Sequence, residues 1–323
     1  MKRREFITLL GGTAAAWPVA ARAQQPGKVY RIGFFRNDNP IMGPAYSAFL
    51  DELRVQGFVE GQNLVVDQRP TGQTPAALAS NVADMVRSKV DAIFTGIQPA
   101  LQAAAGSGIP TIIAAINFDP IAHGYVKTLS QPGGNVTGVV LRQTELAEKQ
   151  VELLTQAFPE RKRLAMLWDA ISTDQFGAAE RRAKLLGLDV VSIKLEGQPY
   201  DIPAAMRRVT EGGAQMLLVL SSPFFGPQNY TIIELTIRNH LPTMFIFRRY
   251  VELGGLMSYG ADNVAMLRQA AVYAAKVLRG AKPADLPVEQ PNKFEFAVNL
   301  KTAKATGIEL PTSILLRADE VIE

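Results

Sequence analysis

The side chains in this chain that could do chemistry stand just past its short apolar runs. Arg36 and Asn37 follow the first such run, Gly96 and Gln98 the third, Asn117 and Asp119 the fourth. In the second half, Asp169 and Ser172, then Ser221, Ser222 and Phe224, then Phe247 and Arg248 hold matching positions. These are groups suited to binding. A guanidinium grips a carboxylate through two parallel hydrogen bonds, hydroxyls and amides add directional bonds, and an aromatic face packs a flat ligand body. Any one Ser, Asp or Asn here also serves as a helix cap. Collectively they are expected to line a cleft, with Arg36 and Arg248 holding a ligand carboxylate from opposite walls. Ser221, Ser222 and Asn117 would add hydrogen bonds, and Phe224 or Phe247 would pack against the ligand.

Groups suited to catalysis do not cluster in the same way. The two histidines, His123 and His240, have no neighbours at metal-ligand spacing, and there is no cysteine. The sequence holds no G-x-S-x-G elbow, Walker loop or dinucleotide fingerprint after a first strand. The stretch PGGNVTG (132–138) is glycine-rich but leads into a strand, whereas a phosphate cradle opens a helix. No catalytic residue, metal or cofactor is therefore expected.

Positioning such residues at strand ends requires a particular scaffold. VYRIGFF (29–35), LVVDQ (64–68), DAIFTGI (91–97) and TIIAAI (111–116) read as strands. Helical patterns separate them, such as Ala45, Phe49, Leu53 and then Leu78, Val82, Met85, Val86. The alternation starts again with RLAMLW (163–168), DVVSIKL (189–195), QMLLVLS (215–221) and TMFIF (243–247). Such runs, rich in Ile and Val, suit strands covered on both faces. The fold class is α/β, with two similar doubly wound parallel-sheet lobes and a ligand crevice at the carboxyl ends of their strands. NVAMLRQAAVYAAKVL (263–278) carries an apolar face and is expected to return to the first lobe. The expected partition is 28–141 plus 260–281 for one lobe and 142–259 plus 282–323 for the other. A chain that crosses several times in this way builds a hinge. Trp168, next to Asp169, is expected to report its closing.

The first residues carry an address. Lys2, Arg3 and Arg4 precede an apolar stretch that ends at Ala21-Arg22-Ala23, the layout of an export signal cleaved after Ala23. The paired arginines fit the twin-arginine type, and Gly11, Gly12 and Pro18 make the stretch too broken for a spanning helix. The chain has 34 basic and 30 acidic residues, a net charge of +4, of which the leader holds all but about one. That balance argues against a nucleic-acid partner. Location in the periplasm and a monomeric state are expected.

GFVEGQNLVVDQR (57–69), DPIAHGYVKTLSQPGGNVTG (119–138), ELGGLMSYG (252–260) and the ending NLKTAKATGIELPTSILLRADEVIE (299–323) resemble the exported substrate-binding proteins of ABC transporters. The group in question includes tryptophan- and tyrosine-binding members, and the ending is its most specific part. The resemblance implies a type I periplasmic-binding fold that closes on a small organic ligand, an amino acid, aromatic or carboxylate compound. It also implies delivery to a permease with a cytoplasmic ATPase. The competing class, a periplasmic hydrolase or isomerase on the same two-lobed fold, would need a nucleophile, base or metal constellation that the motifs do not supply. A sugar-responsive regulator of the same shape would need a helix-turn-helix and a cytoplasmic address.

Overall fold

The computed structural model describes residues 28–36, 42–70 and 74–323. The leader and Asn37 lie outside the described residues. The first half of the chain runs β1 (Tyr30–Arg36), α1 (Gly43–Val55), β2 (Leu64–Pro70), α2 (Pro75–Arg87), β3 (Ala92–Thr95), α3 (Gln98–Ala105), β4 (Thr111–Ala115) and β5 (Val136–Val140). Its strands form one parallel sheet in the order β2-β1-β3-β4-β5. Every residue of β3, β4 and β5 is buried, as unbroken apolar runs require when helices cover both faces. Phe35 and Ile93 pack on one side with Leu78, Val82 and Met85 of α2. Phe34 and Phe94 pack on the other with Phe49 of α1, with ring centroids 4.4–5.2 Å apart. Each such burial stabilises by roughly 1.5–3 kcal/mol.

The second half runs α4 (Gln143–Ala157), β6 (Arg163–Trp168), α5 (Thr173–Leu185), β7 (Asp189–Lys194), α6 (Ile202–Glu211), β8 (Met216–Val219), α7 (Asn229–Arg238), β9 (Thr243–Phe245), α8 (Arg248–Glu252) and β10 (Met257–Ala261). After α9 (Asn263–Leu278) come β11 (Phe294–Asn299), α10 (Leu300–Thr306), α11 (Thr312–Leu315) and β12 (Glu320–Ile322). The second sheet has the order β12-β11-β10-β9-β8-β6-β7, with β11 antiparallel to β10. Two α/β lobes, each on a mainly parallel sheet, are therefore present as the alternation predicts. The differences fall in places without that alternation. The small residues of MSYGA hide β10, and the antiparallel β11 follows a long stretch with no crossover helix of its own.

Three connections join the lobes. The chain leaves the first sheet after β5 and enters the second through α4. It returns after β10 as α9, which packs on α1 and beneath β3, β4 and β5. It crosses again before β11. The second and third crossings are bonded side by side: Asp262 donates its N–H to the Lys293 carbonyl at 3.0 Å, and Lys293 Nζ lies 2.9 Å from Asp262 Oδ2. Residues 282–289, assigned by the sequence to the second lobe, remain with the first. Glu289 pairs with β5 through Gly138 and Val140, and the Thr137 hydroxyl donates to the Leu286 carbonyl at 2.9 Å. This stretch covers the outer edge of β5, which would otherwise present unpaired backbone groups. Among the described residues, no helix is long and apolar enough to cross a membrane.

Candidate ligand-binding site

The carboxyl ends of both sheets face a common cavity. From the first lobe, Gly96 follows β3, Ile116 and Asn117 follow β4, and Tyr46 projects from α1. From the second, Ser221 and Ser222 follow β8, Ile246 and Phe247 follow β9, and Tyr250 stands on α8. The cavity holds about 540 Å³ of atom-free space, part of it open to solvent. Its walls are mostly aromatic and aliphatic, and no described lining residue is charged. Tyr250 is buried, its ring stacked on Phe245 with centroids 4.9 Å apart. Burial pushes its phenol well above the usual tyrosine range, even with Asn229 as a hydrogen-bond partner.

The serine wall is held from behind by two buried side chains. Gln175 bonds the backbone of Ser221 twice: its Oε1 accepts the Ser221 N–H at 3.0 Å and its Nε2 donates to the Ser221 carbonyl at 3.1 Å. Asp169 is fully buried and accepts from five donors. Oδ1 takes the Ile171 and Ser172 N–H groups and the Ser172 hydroxyl, while Oδ2 takes the Tyr200 and Ser222 hydroxyls. Burial, with the Asp169 carboxylate alongside, pushes the Tyr200 phenol up to about 12. A carboxylate with this many donors has no capacity left for a ligand.

Of the residues chosen from sequence, Gly96, Asn117, Ser221, Ser222 and Phe247 line the cavity. The others have structural work. Asp169 and Ser172 form a capping box at the turn after β6. Gln98 donates to the Tyr125 hydroxyl at 2.9 Å, and Asp119 caps the turn at Ile121 and Ala122. Arg36 bonds Gln68 at 3.3 Å, and its guanidinium lies over the Tyr46 ring, 5.8 Å from the centroid. Phe224 gives its N–H to Ser222 Oγ and packs at the edge of the core. Arg248 lies among the carboxylates of Glu252, Glu295 and Glu320, tying α8 to β11 and β12. Trp168 likewise turns away: its indole donates to Ser192 and stacks on Phe176, with centroids 4.3 Å apart. Tyr46, Ile116, Ile246 and Tyr250 were not anticipated, because apolar residues near strand ends look the same as core residues in sequence.

Residues 38–322 match the family model described as ABC transporter substrate binding protein. The chain belongs to that family. It is 25% identical over 277 residues to the tyrosine-binding protein of Clostridioides difficile (strain R20291), covering 84% of this chain and 79% of the other. Its fold superposes with a TM-score of 0.81 and 27% identity on an ABC domain from Streptococcus pneumonia in complex with L-Trp, over 91% and 99% of the two chains. A conserved domain protein of Vibrio cholerae shares the fold at a TM-score of 0.82 and 24% identity, over 91% and 100%. The family is one of substrate-binding proteins and not of enzymes, and two sheet-based lobes around a cavity are the architecture that role uses. The family member described here is thus a small-ligand binder for ABC-transporter uptake.

Proposed function

We propose that this substrate-binding protein captures a small aromatic solute, of the size of tryptophan or tyrosine, between its lobes. The observation that carries the reading is the cavity wall itself, which is lined by Tyr46, Phe247 and Tyr250 together with the polar residues Asn117, Ser221 and Ser222. Aromatic rings suit a flat apolar body, and few but fixed polar groups set its orientation. The names of the relatives, a tyrosine-binding protein and a domain in complex with L-Trp, support the same class. The leader through Ala23 supports export to the periplasm by the twin-arginine route, with the monomeric protein passing solute to a permease and its cytoplasmic ATPase. The lobes close on the ligand about their three connections, and Asn117 and Ser221 meet it from opposite sides. The protein returns the ligand unchanged.

A thermal-shift titration with L-tryptophan, L-tyrosine and aromatic carboxylic acids tests the ligand class. A ligand at 100 times its dissociation constant adds about 2.7 kcal/mol of stability. A set of melting curves that none of these compounds moves would overturn the reading.

A further inference from the structure

The hydrogen-bonding capacity around Ser222 is already largely committed. Its hydroxyl donates to Asp169 Oδ2, and its oxygen accepts the Phe224 N–H at 3.2 Å. Tyr200 cannot relieve it, since its own proton goes to the same carboxylate oxygen at 3.0 Å. A hydroxyl has one proton and two lone pairs. With the proton on Asp169 and one lone pair on Phe224, Ser222 has only an acceptor to offer the cavity. On the facing lobe, Asn117 lines the same cavity, and its Oδ1 is buried with no hydrogen-bond partner. A buried acceptor without a donor is costly, and the residue stands where a ligand would bring one.

We infer that the cleft selects aromatic ligands that bring a hydrogen-bond donor, above all a primary ammonium, to the Asn117 Oδ1 and Ser222 Oγ acceptors. The inference rests on the aromatic reading above and goes further by fixing the polarity of the ligand's head. An ammonium has three donors and no acceptor, so it can serve both lobes at once. A head group with acceptors alone would set lone pairs against lone pairs, which is a means of rejection as well as recognition. Asp169 is the positioning residue of this arrangement, because it decides which way the Ser222 proton points.

The test is calorimetric titration of the purified protein with two matched pairs. L-Tryptophan is compared with indole-3-propionate, and L-tyrosine with 3-(4-hydroxyphenyl)propionate, each second member lacking only the ammonium. The amino compound is expected to bind at least about tenfold more tightly, which is about 1.4 kcal/mol. Asn117→Leu should shrink that ratio to about threefold or less, whereas Asn117→Asp, which keeps an acceptor in place, should preserve it. Asn117 is at a strand end and only partly buried, so neither change empties a core position. Equal affinity within each pair, or a ratio that Asn117→Leu leaves intact, would overturn the inference while the aromatic class stands. Failure of all four compounds to bind would overturn both.

Discussion

At the scale of single residues, the polar positions at the strand ends divide by burial and by partners already satisfied. Asp169 and Arg248 resemble ligand-binding groups in sequence, yet one is saturated by five donors and the other by three carboxylates. Their removal should therefore affect different quantities. Asp169→Ala leaves buried hydroxyls and N–H groups unpaired and is expected to cost about 3 kcal/mol of stability. It should also weaken ligand binding, because the Ser222 proton is released. Arg248→Ala lies partly in solvent, so chemical denaturation should show a loss of about 1 kcal/mol or less. The affinity of Arg248→Ala for tryptophan should stay within about twofold of the parent, under ~0.5 kcal/mol. A tenfold loss in that variant would return the arginine to the ligand.

At the scale of elements, small residues and caps keep the strand ends in register. Gly138 in β5 has φ +137°, and a Cβ there would stand 2.2 Å from the Ile113 carbonyl oxygen of the neighbouring strand. Gly260 in β10 is equally constrained, since a Cβ would lie 2.0 Å from the carbonyl oxygen of Ile246, a cavity-lining residue. Gly260→Ala is expected to shift that wall and lower both melting temperature and ligand affinity. Helix α9 begins where the second crossing meets the third, and its cap is Asp262. Burial alone would raise the Asp262 carboxyl. The N–H groups of Ala265 and Val264 and the Lys293 ammonium outweigh it and hold the group below the usual carboxylate range. A carboxyl depressed on folding stabilises the protein above its unfolded pKa of about 3.9, and that contribution fades as pH falls through the folded value. Asp262→Asn keeps a capping oxygen but cannot titrate. Denaturation of both proteins between pH 7 and 3 should show the parent more stable at pH 7 and the difference shrinking on acidification. A gap that is constant across the range would assign the depressed pKa no role in stability.

At the scale of the whole molecule, one apolar cluster extends from Phe34, Phe49 and Phe94 in the first lobe to Phe245, Ile246 and Tyr250 in the second. The cavity walls accordingly share one apolar core, so entry of an indole-sized ligand is expected to need the lobes to part. Affinity should then depend on both walls alike. Tyr46→Ala from the first lobe and Phe247→Ala from the second are each expected to weaken tryptophan binding by about tenfold, as truncation of an aromatic anchor does. A loss confined to one lobe would argue against binding between them. Trp168 stacks on Phe176 away from the cavity, so its emission is a poor reporter of this step. The proposed export concerns the same whole chain. Changing Arg3 and Arg4 to Lys should leave uncleaved precursor in the cytoplasm, detected by fractionation and blotting, whereas efficient secretion of that variant would assign a different route.

The sequence by itself determined the alternation of strands and helices, and with it two α/β lobes and a cavity at the strand ends. Those features follow from periodicity, which local side-chain patterns write directly into the chain. It also determined that Asn117, Ser221, Ser222 and Phe247 stand at those ends, because position along a strand is a matter of counting. Only the tertiary structure decided which strand-end groups remain available. Asp169 owes its saturation to Tyr200 and Ser222, 31 and 53 residues away, and Arg248 meets Glu320 across 72 residues. Hydrogen-bond capacity and charge are consumed pairwise by neighbours in space, and no local pattern records partners at such separations. The aromatic wall was hidden for a related reason: Tyr46 and Tyr250 differ from core residues only in facing a gap, and the gap exists only once the two lobes are set against each other.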